Sequence, residues 1–328
     1  MINEETVVVD DKLGLIDALQ QLGIAYHFEE EIKHALDSIF SKLDDIRMET
    51  KDNAYIIALL FRLLRGQGFI VSQDSSDDNY KLRDYVANAL EQPLEWRMEK
   101  LHTRWFIDAY EKEEKMRPLL LELAKLDFNV VQNTYKRELK EVSRWWSNLG
   151  LWEKLPFSRD RLAENYLLSV GCAFEPKHST FRLAQTKANS LVTVIDDVYD
   201  IYGSLDELEL FTEAVDRWDA LNVKQLPEYM RSEHQRGDVA KSIHCCMHHE
   251  GITEAAARER IKELIYDCWK KLNRARRVDS AFNKNFADIA MNMPRTARSF
   301  YIHGDGYGSP EGETKDKIIS LLIEPVQI

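Results

Sequence analysis

Apolar residues that recur every three or four positions dominate this chain and restrict it to helices. Leu13, Ile16 and Leu19 show the spacing near the start, where it places all three side chains on one helical face. The same periodicity returns in later segments, at 24–40, 55–64, 82–90, 105–110, 119–126, 130–139, 181–202, 205–218, 253–275, 283–302 and 313–323. Only 13 Gly and 8 Pro occur among 328 residues, which disfavours a turn-rich β fold. The sequence therefore predicts an all-α protein.

Charge and cysteine content exclude several classes of function. The chain has 44 Lys and Arg against 56 Asp and Glu, a net charge of −12, whereas nucleic-acid binding requires clustered positive charge. Its four cysteines are scattered, which favours a reducing compartment over a disulfide framework. No run of 18 apolar residues is long enough to span a membrane. We expect neither nucleic acid nor membrane as a partner, and any targeting peptide to be absent from this sequence.

The densest chemistry lies in an Asp-Asp-x-x-Asp motif formed by Asp196, Asp197 and Asp200. Asp196 and Asp200 are four positions apart and share one face of a helix, so their charges repel unless a cation neutralises them. Carboxylate oxygens are ligands that Mg²⁺ prefers, commonly together with phosphate. A solvated acidic helix face is the alternative. Residues 190–195 carry no charge, which predicts a buried helix that ends at a cavity.

Upstream of this motif, Arg159 and Arg161 flank Asp160 at a predicted helix start around residues 157–161. Two planar guanidinium groups are suited to bind a diphosphate. A surface ion pair at a helix start is the alternative interpretation.

Asn189 precedes Asp196 by seven positions, about two helical turns, so both side chains share a face. An amide among apolar neighbours must find a partner, either a water molecule or a nearby helix carbonyl. A water held there would lie close to a hydrocarbon cation. Trp145, Trp146 and Tyr301 are candidates to line such a cavity, since aromatic faces stabilise cations, although aromatic side chains on helices also serve as core.

Five segments together resemble one known family. They are Arg144–Trp146, Arg159–Tyr166, Ile195–Leu208, Arg236–Val239 and His303–Gly306. Together these segments resemble the plant class I terpene synthases, and most of all the angiosperm monoterpene cyclases of the 1,8-cineole synthase type. The resemblance extends from about Leu15 to the end of the chain. It implies an N-terminal α-barrel domain over 1–115, a catalytic class I helical bundle over 116–328, and ionisation of geranyl diphosphate by three Mg²⁺ or Mn²⁺ ions.

The resemblance also implies roles for individual residues and a location. It implies metal ligands at Asp196, Asp197, Asp200 and Glu233. It implies substrate contacts at Arg159, Arg161, Asp196, Asp200 and Lys241. It further implies a plastid enzyme that is a monomer or a homodimer.

Two departures from the family pattern indicate absent blocks of sequence. The family's second metal motif ends at a Glu that Glu233 matches, but Tyr229 and Gln225 stand where its other ligands belong. A block of two or more helices is therefore expected to be absent near residues 230–232, and a second block near residues 73–78. The paired arginines typical of cyclising members do not occur before Leu15.

The sequence is compatible with several functions. The first is cyclisation with capture of water, which gives α-terpineol or 1,8-cineole, and the second is formation of an olefin such as limonene or sabinene. A chain-elongating prenyl diphosphate synthase would require a second Asp-Asp-x-x-Asp, which the sequence lacks. A non-catalytic helical protein related to terpene synthases is the last alternative.

Overall fold

A computed structural model describes residues 8–50, 53–67, 69, 96–156, 158–197, 242–275, 283–308, 310 and 312–328. Helices account for most of these residues, and no β-strand occurs among them. The predicted all-α class is therefore confirmed. No helix in these ranges is both long enough and apolar enough to cross a membrane.

The helices are numbered here in chain order. They are α1 (Val9–Gln21), α2 (Glu29–Ser41), α3 (Leu43–Glu49), α4 (Ala54–Gly66), α5 (Glu99–Tyr110), α6 (Pro118–Leu149), α7 (Leu151–Lys154), α8 (Leu162–Cys172), α9 (Ser179–Asp197), α10 (Ser242–Glu250), α11 (Glu254–Ala275), α12 (Lys284–Tyr301) and α13 (Glu313–Ile318). Short 3-10 turns lie at Ala25–His27 and Pro176–His178, and a π-turn at Ile319–Ile323 follows α13.

The chain forms two compact units. The first contains residues 1–142, 163–186 and 276–328, and the second contains 143–162 and 187–275. The first unit thus includes residues on both sides of the domain boundary expected at residue 115. That boundary remains a prediction about the family's domains, and the units describe packing.

The sequence periodicity translates directly into the core of the first unit. Leu13, Ile16 and Leu19 are almost completely buried on α1, as their spacing predicts. Helix α4 begins where the Asn53 side chain accepts a hydrogen bond from the Ile56 amide, which satisfies one of the unpaired amides of the first turn. These local signals explain why the helix boundaries follow the pattern closely.

One predicted helix start is displaced. Helix α8 begins at Leu162, and not at residues 157–161. The Asp160 carboxylate accepts a hydrogen bond from the Leu162 amide at 3.2 Å, so Asp160 and the two flanking arginines precede the helix. Short acidic side chains favour such a position because they bond to nearby backbone amides.

A fully buried ion pair connects α6 to α9 in the first unit. Arg182 has no exposed surface, and its Nε and one terminal nitrogen donate to the two Glu138 carboxylate oxygens at 2.8 and 2.7 Å. The other terminal nitrogen donates to the carbonyl oxygens of Ala173 and Glu175. The Tyr166 hydroxyl on α8 also donates to Glu138, at 2.8 Å. Burial beside the Glu138 carboxylate raises the pKa of Tyr166. The pair is thus hydrogen-bonded on both sides, the condition under which a buried charge is tolerated.

A second polar chain joins α1, α4 and α5. Arg97 lies 3.4 Å from Nδ1 of His102, and Nε2 of His102 lies 3.1 Å from the Gln21 side-chain oxygen. Gln21 donates to Asp17, and Asp17 pairs with Arg62. Since Arg97 can only donate, Nδ1 of His102 accepts and Nε2 carries the proton. Burial, together with the nearby Arg97 and Arg62 charges, lowers the pKa of His102 to about 4.

The end of the chain is held by two amides of α6. Asn129 donates to the Val326 carbonyl and accepts from the Val326 amide, both at 2.8 Å. Gln132 donates to the carbonyl oxygens of Leu321 and Glu324. These side chains satisfy backbone groups that have left the helical hydrogen-bond pattern.

Replacing Glu138 with Gln leaves Arg182 buried without a counter-ion. We expect Glu138→Gln to lower the free energy of unfolding by about 3–5 kcal/mol. Glu254→Gln is the matched control, because the Arg258–Glu254 pair is more than half exposed on both sides and contributes less than about 1 kcal/mol. Urea denaturation followed by circular dichroism measures both. Equal losses in the two variants would contradict the assignment of Arg182 as a buried anchor.

The lowered pKa of His102 predicts a loss of stability in acid. The unfolded chain binds a proton at His102 as the pH falls through its ordinary value of 6.5, whereas the folded protein stays neutral there down to about 4. Stability is therefore complete above pH 6.5 and declines below it, by about 1–2 kcal/mol at pH 5 after discounting for partial exposure. His102→Gln keeps a donor and an acceptor without titrating. Urea denaturation at neutral and acidic pH should show a smaller acid loss in this variant than in the parent, and an unchanged loss would refute the role of His102.

Candidate functional site

Helix α9 has a buried side and an open side at its C-terminal end. Ser190, Thr193 and Asp197 are buried. Asn189 is half-buried, and Val192 and Asp196 are exposed. Asn189, Val192 and Asp196 recur at the spacing of one helical face, which is the open side of the helix. The acidic motif therefore begins on a helix that presents an amide, an aliphatic group and a carboxylate in line.

The two adjacent aspartates have different environments. Asp197 is completely buried, and one of its oxygens accepts the backbone amide of Arg159 at 2.7 Å. Its other oxygen accepts Nε of Arg159 at 2.6 Å and lies 2.5 Å from a terminal guanidinium nitrogen. Asp197 thus fixes both the backbone and the side chain of Arg159. These contacts occupy the carboxylate that the family resemblance assigns to metal.

Asp196 points its carboxylate to the exterior of the helix. Its side chain is 59% exposed, and a terminal nitrogen of Arg159 lies 3.8 Å from one of its oxygens. A single guanidinium therefore contacts both carboxylates, closely at Asp197 and loosely at Asp196. Such an accessible carboxylate beside a cation is suited to share a metal ion with a phosphate group.

Arg161 lies on the same short segment as Arg159 but has a different local contact. Its guanidinium donates to the Asp160 carbonyl oxygen at 3.2 Å. Both arginines are partly exposed, so the segment presents two guanidinium groups immediately before α8. The diphosphate role predicted for Arg159 and Arg161 remains a prediction.

Asn189 is placed as the sequence predicts, two turns before Asp196. Its backbone carbonyl accepts a hydrogen bond from the Thr193 hydroxyl at 2.9 Å. Within the described residues, no hydrogen bond of the Asn189 amide side chain occurs.

The prediction of a buried helix before the aspartates is wrong for three apolar residues. Leu191, Val192 and Ile195 are all exposed among the described residues, while the buried positions include the polar Ser190 and Thr193. The physical reason is helical geometry: the buried positions 190, 193, 194 and 197 follow three- and four-residue spacing, and the three exposed aliphatic residues fall outside that side of α9. Val192 is the residue that the motif analysis missed, and its position four residues before Asp196 is the signal that identifies it.

The three aromatic residues predicted to line a cavity lie in different surroundings. Trp145 and Trp146 are half-buried in the second unit with ring centroids 5.8 Å apart. The Lys187 ammonium group lies 5.7 Å from the Trp145 ring centroid, so a protein cation already occupies one face of this ring. Tyr301 belongs to the first unit and is exposed.

Three predicted site residues, Asp200, Glu233 and Lys241, lie outside the described residues. Among the residues that the structure describes, no group of three or more His, Cys, Asp or Glu side chains is arranged to hold a metal ion. A complete metal site would therefore need ligands from beyond these ranges in addition to Asp196.

Comparison with known proteins defines the class to which this helical fold and acidic motif belong. Residues 147–232 match the terpene synthase family, metal binding domain, and residues 1–81 match the terpene synthase N-terminal domain. Residues 230–271 match the C-terminal metal-binding region of terpene synthase family 2.

Individual relatives agree with these matches over nearly the whole chain. Monoterpene synthase 8 of Hedychium coronarium is 35% identical, with 97% of this chain and 84% of that protein covered. The (−)-α-terpineol synthase of Vitis vinifera is also 35% identical, over 96% of this chain and 82% of that protein. Isoprene synthase of grey poplar, solved with three Mg²⁺ ions and dimethylallyl-S-thiolodiphosphate, has a TM-score of 0.86 at 29% identity and covers 99% and 94% of the two chains. The chain belongs to the plant terpene synthase family, and it has the all-α terpenoid cyclase fold of that family.

The different environments of the two aspartates predict different effects of the same substitution on stability. Asp197→Asn removes the charge that holds Arg159 and should lower the free energy of unfolding by about 2–4 kcal/mol. Asp196→Asn, the adjacent control, should change it by less than about 1 kcal/mol because that carboxylate is exposed. Thermal and urea unfolding of both variants measure the difference. Equal destabilisation would show that Asp197 does not anchor Arg159.

Proposed function

We propose that this terpene synthase ionises geranyl diphosphate and cyclises the resulting cation, with capture of water to give an oxygenated monoterpene. The open face of α9 carries the proposal, because it aligns Asn189, Val192 and Asp196 along about two turns. The Asp196 carboxylate would lie at the diphosphate end of the substrate. The aliphatic side chain of Val192 comes next along the helix, and the Asn189 amide follows. The similarity to the Hedychium and Vitis monoterpene synthases supports the choice of a ten-carbon substrate.

The residues present fit a divalent metal with oxygen ligands. The Asp196 carboxylate is exposed at the end of α9, and Asp200 and Glu233 would supply further oxygens. Carboxylate ligands suit Mg²⁺ or Mn²⁺, and the three Mg²⁺ ions in the poplar isoprene synthase structure support this assignment. When bound, such ions would neutralise the charge that develops on the departing diphosphate.

The basic residues of the second unit would bind the diphosphate. Asp197 holds the Arg159 backbone and guanidinium, so Arg159 is oriented before substrate arrives and loses little freedom on binding. Arg161 and Lys241 would contribute further positive charge. The roles of Asp196 and Asp197 therefore divide: the first meets the metal, and the second positions an arginine.

Asn189 would decide how the hydrocarbon cation is quenched. Its side-chain amide has no hydrogen bond within the described residues, so it is available to hold a water molecule. Addition of that water to an α-terpinyl cation, followed by loss of a proton, gives α-terpineol. Protonation of the ring double bond, addition of the hydroxyl oxygen to the resulting cation and loss of the hydroxyl proton then give 1,8-cineole. The product named for the Vitis relative, (−)-α-terpineol, supports the oxygenated outcome. Olefin formation by proton loss is the second candidate.

Two comparisons support the proposal that blocks of sequence are absent from this chain. The alignment to the Hedychium enzyme runs over 495 positions, whereas the whole chain has 328 residues, so at least 167 aligned positions have no residue here. One family match ends at residue 232 and another begins at residue 230, which supports an absent block at this point.

The chloroplastic relatives support a plastid location. A monomer or a homodimer remains the proposed assembly.

The proposed metal role predicts that turnover depends on Asp196 and on divalent cation. Asp196→Ala should lower kcat by at least about 100-fold while circular dichroism stays unchanged, because the metal ligand is lost and the exposed side chain supports no core contact. Excess EDTA should abolish turnover, and Mg²⁺ or Mn²⁺ should restore it. Full activity in EDTA would overturn the proposed mechanism.

The proposed role of Asn189 predicts a change in products at preserved turnover. Asn189→Ile removes the amide that holds water, so the product mixture should shift from terpineol or cineole to olefins. Leu191→Ala is the matched control, since it lies on a different side of α9 and should leave the product ratio unchanged. Gas chromatography of products from geranyl diphosphate provides the measurement. An olefin-only profile from the parent protein would refute the water-holding role.

A further inference from the structure

A cleft lies in the first unit, away from the acidic motif in sequence. Its volume is about 510 Å³, within the range of about 300–1,000 Å³ that small-molecule sites occupy. Three helices contribute to its wall: α5 through Leu101, His102 and Trp105, α12 through Arg298 and Ser299, and α13 through Glu313 and Lys317. The cleft therefore combines aromatic, aliphatic and cationic groups.

Two tryptophans give the cleft flat apolar surfaces. Trp105 is 59% exposed, an unusual degree for so large an apolar side chain. Trp96 is half-buried, and the Arg298 guanidinium lies 5.2 Å from its ring centroid. An indole beside a guanidinium is a surface on which a planar ring stacks while an attached anion is neutralised.

The cleft has positive charge in an acidic chain. Among the described residues, Arg97, Arg298 and Lys317 line it together with one carboxylate, that of Glu313, although the whole chain has a net charge of −12. Lys317 is held by Glu313 at 2.8 Å and donates to the Ser299 carbonyl oxygen, so its ammonium group has a fixed position. Such a local excess of cations attracts an anion with several acceptor oxygens.

We propose that this cleft binds a nucleoside phosphate, with the base stacked on Trp105 and the phosphate near Arg97, Arg298 and Lys317. Inorganic phosphate alone would use the cations but not the indole surfaces, and a nucleoside alone would use the indole surfaces but not the cations. A ligand that carries both groups is the one that matches the whole wall.

Isothermal titration calorimetry on the full chain tests the proposal, with EDTA present so that metal-dependent diphosphate binding at the acidic motif is suppressed. AMP should bind at least about tenfold more tightly than adenosine or inorganic phosphate. Trp105→Ala and Arg298→Gln should each weaken AMP binding by about tenfold, and Trp105→Phe should restore most of it. Tyr55→Ala and Arg258→Gln alter exposed residues elsewhere and should leave the affinity unchanged.

Three results would overturn the assignment. AMP affinity that is the same in Trp105→Ala, whose fold is verified by circular dichroism, would exclude stacking. Equal affinity for AMP and phosphate would show a simple anion site. Tighter binding of geranyl diphosphate than of AMP, weakened by the same two substitutions, would show that the cleft selects an isoprenoid tail. None of these outcomes depends on turnover, so they test nucleoside phosphate binding separately from the synthase activity.

Discussion

The buried pair of Arg182 and Glu138 is the constraint on which the first unit depends. A guanidinium with no exposed surface is stable only when its nitrogens have acceptors, and here two carboxylate oxygens and two backbone carbonyls accept from all three nitrogens. This requirement fixes the path of residues 173–175 between α8 and α9. The same helix α9 carries Asp196 and Asp197 at its other end. The start of the functional helix is therefore determined by charge satisfaction as well as by apolar packing.

The acidic motif shows how a helix gives neighbouring identical residues separate tasks. One residue along a helix is a rotation of about 100°, so Asp196 and Asp197 cannot face the same surroundings. The inner carboxylate meets Arg159 and is buried, and the outer one remains accessible. Because the buried Asp197 carboxylate fixes Arg159, this arginine needs little further ordering to bind an anion from solution. In the proposed reaction this division keeps the metal-binding carboxylate separate from the one that positions the arginine.

Much of the fold is predictable from the sequence because helix formation depends on local spacing and capping. Helices α11 and α12 lie within one residue of the segments predicted from periodicity, and Asn283 caps the second of these by accepting from the Phe286 amide. The difference between Asp196 and Asp197 was not predictable, because it depends on a contact with Arg159, which is 38 positions away from Asp197. The start of α8 differs from the predicted one for a local reason: the Asp160 side chain accepts the Leu162 amide, which has no partner inside the helix, so the helix begins after residue 161.

The amide clamp on the C-terminal segment has a consequence for the order of folding. Asn129 and Val326 are 197 positions apart, whereas Arg182 and Glu138 are separated by only 44. Closing the longer loop costs more chain entropy and contributes to a high contact order, so the clamp is expected to form after the α6–α9 pair. Until the clamp forms, the side chains of Asn129 and Gln132 on α6 lack these backbone partners.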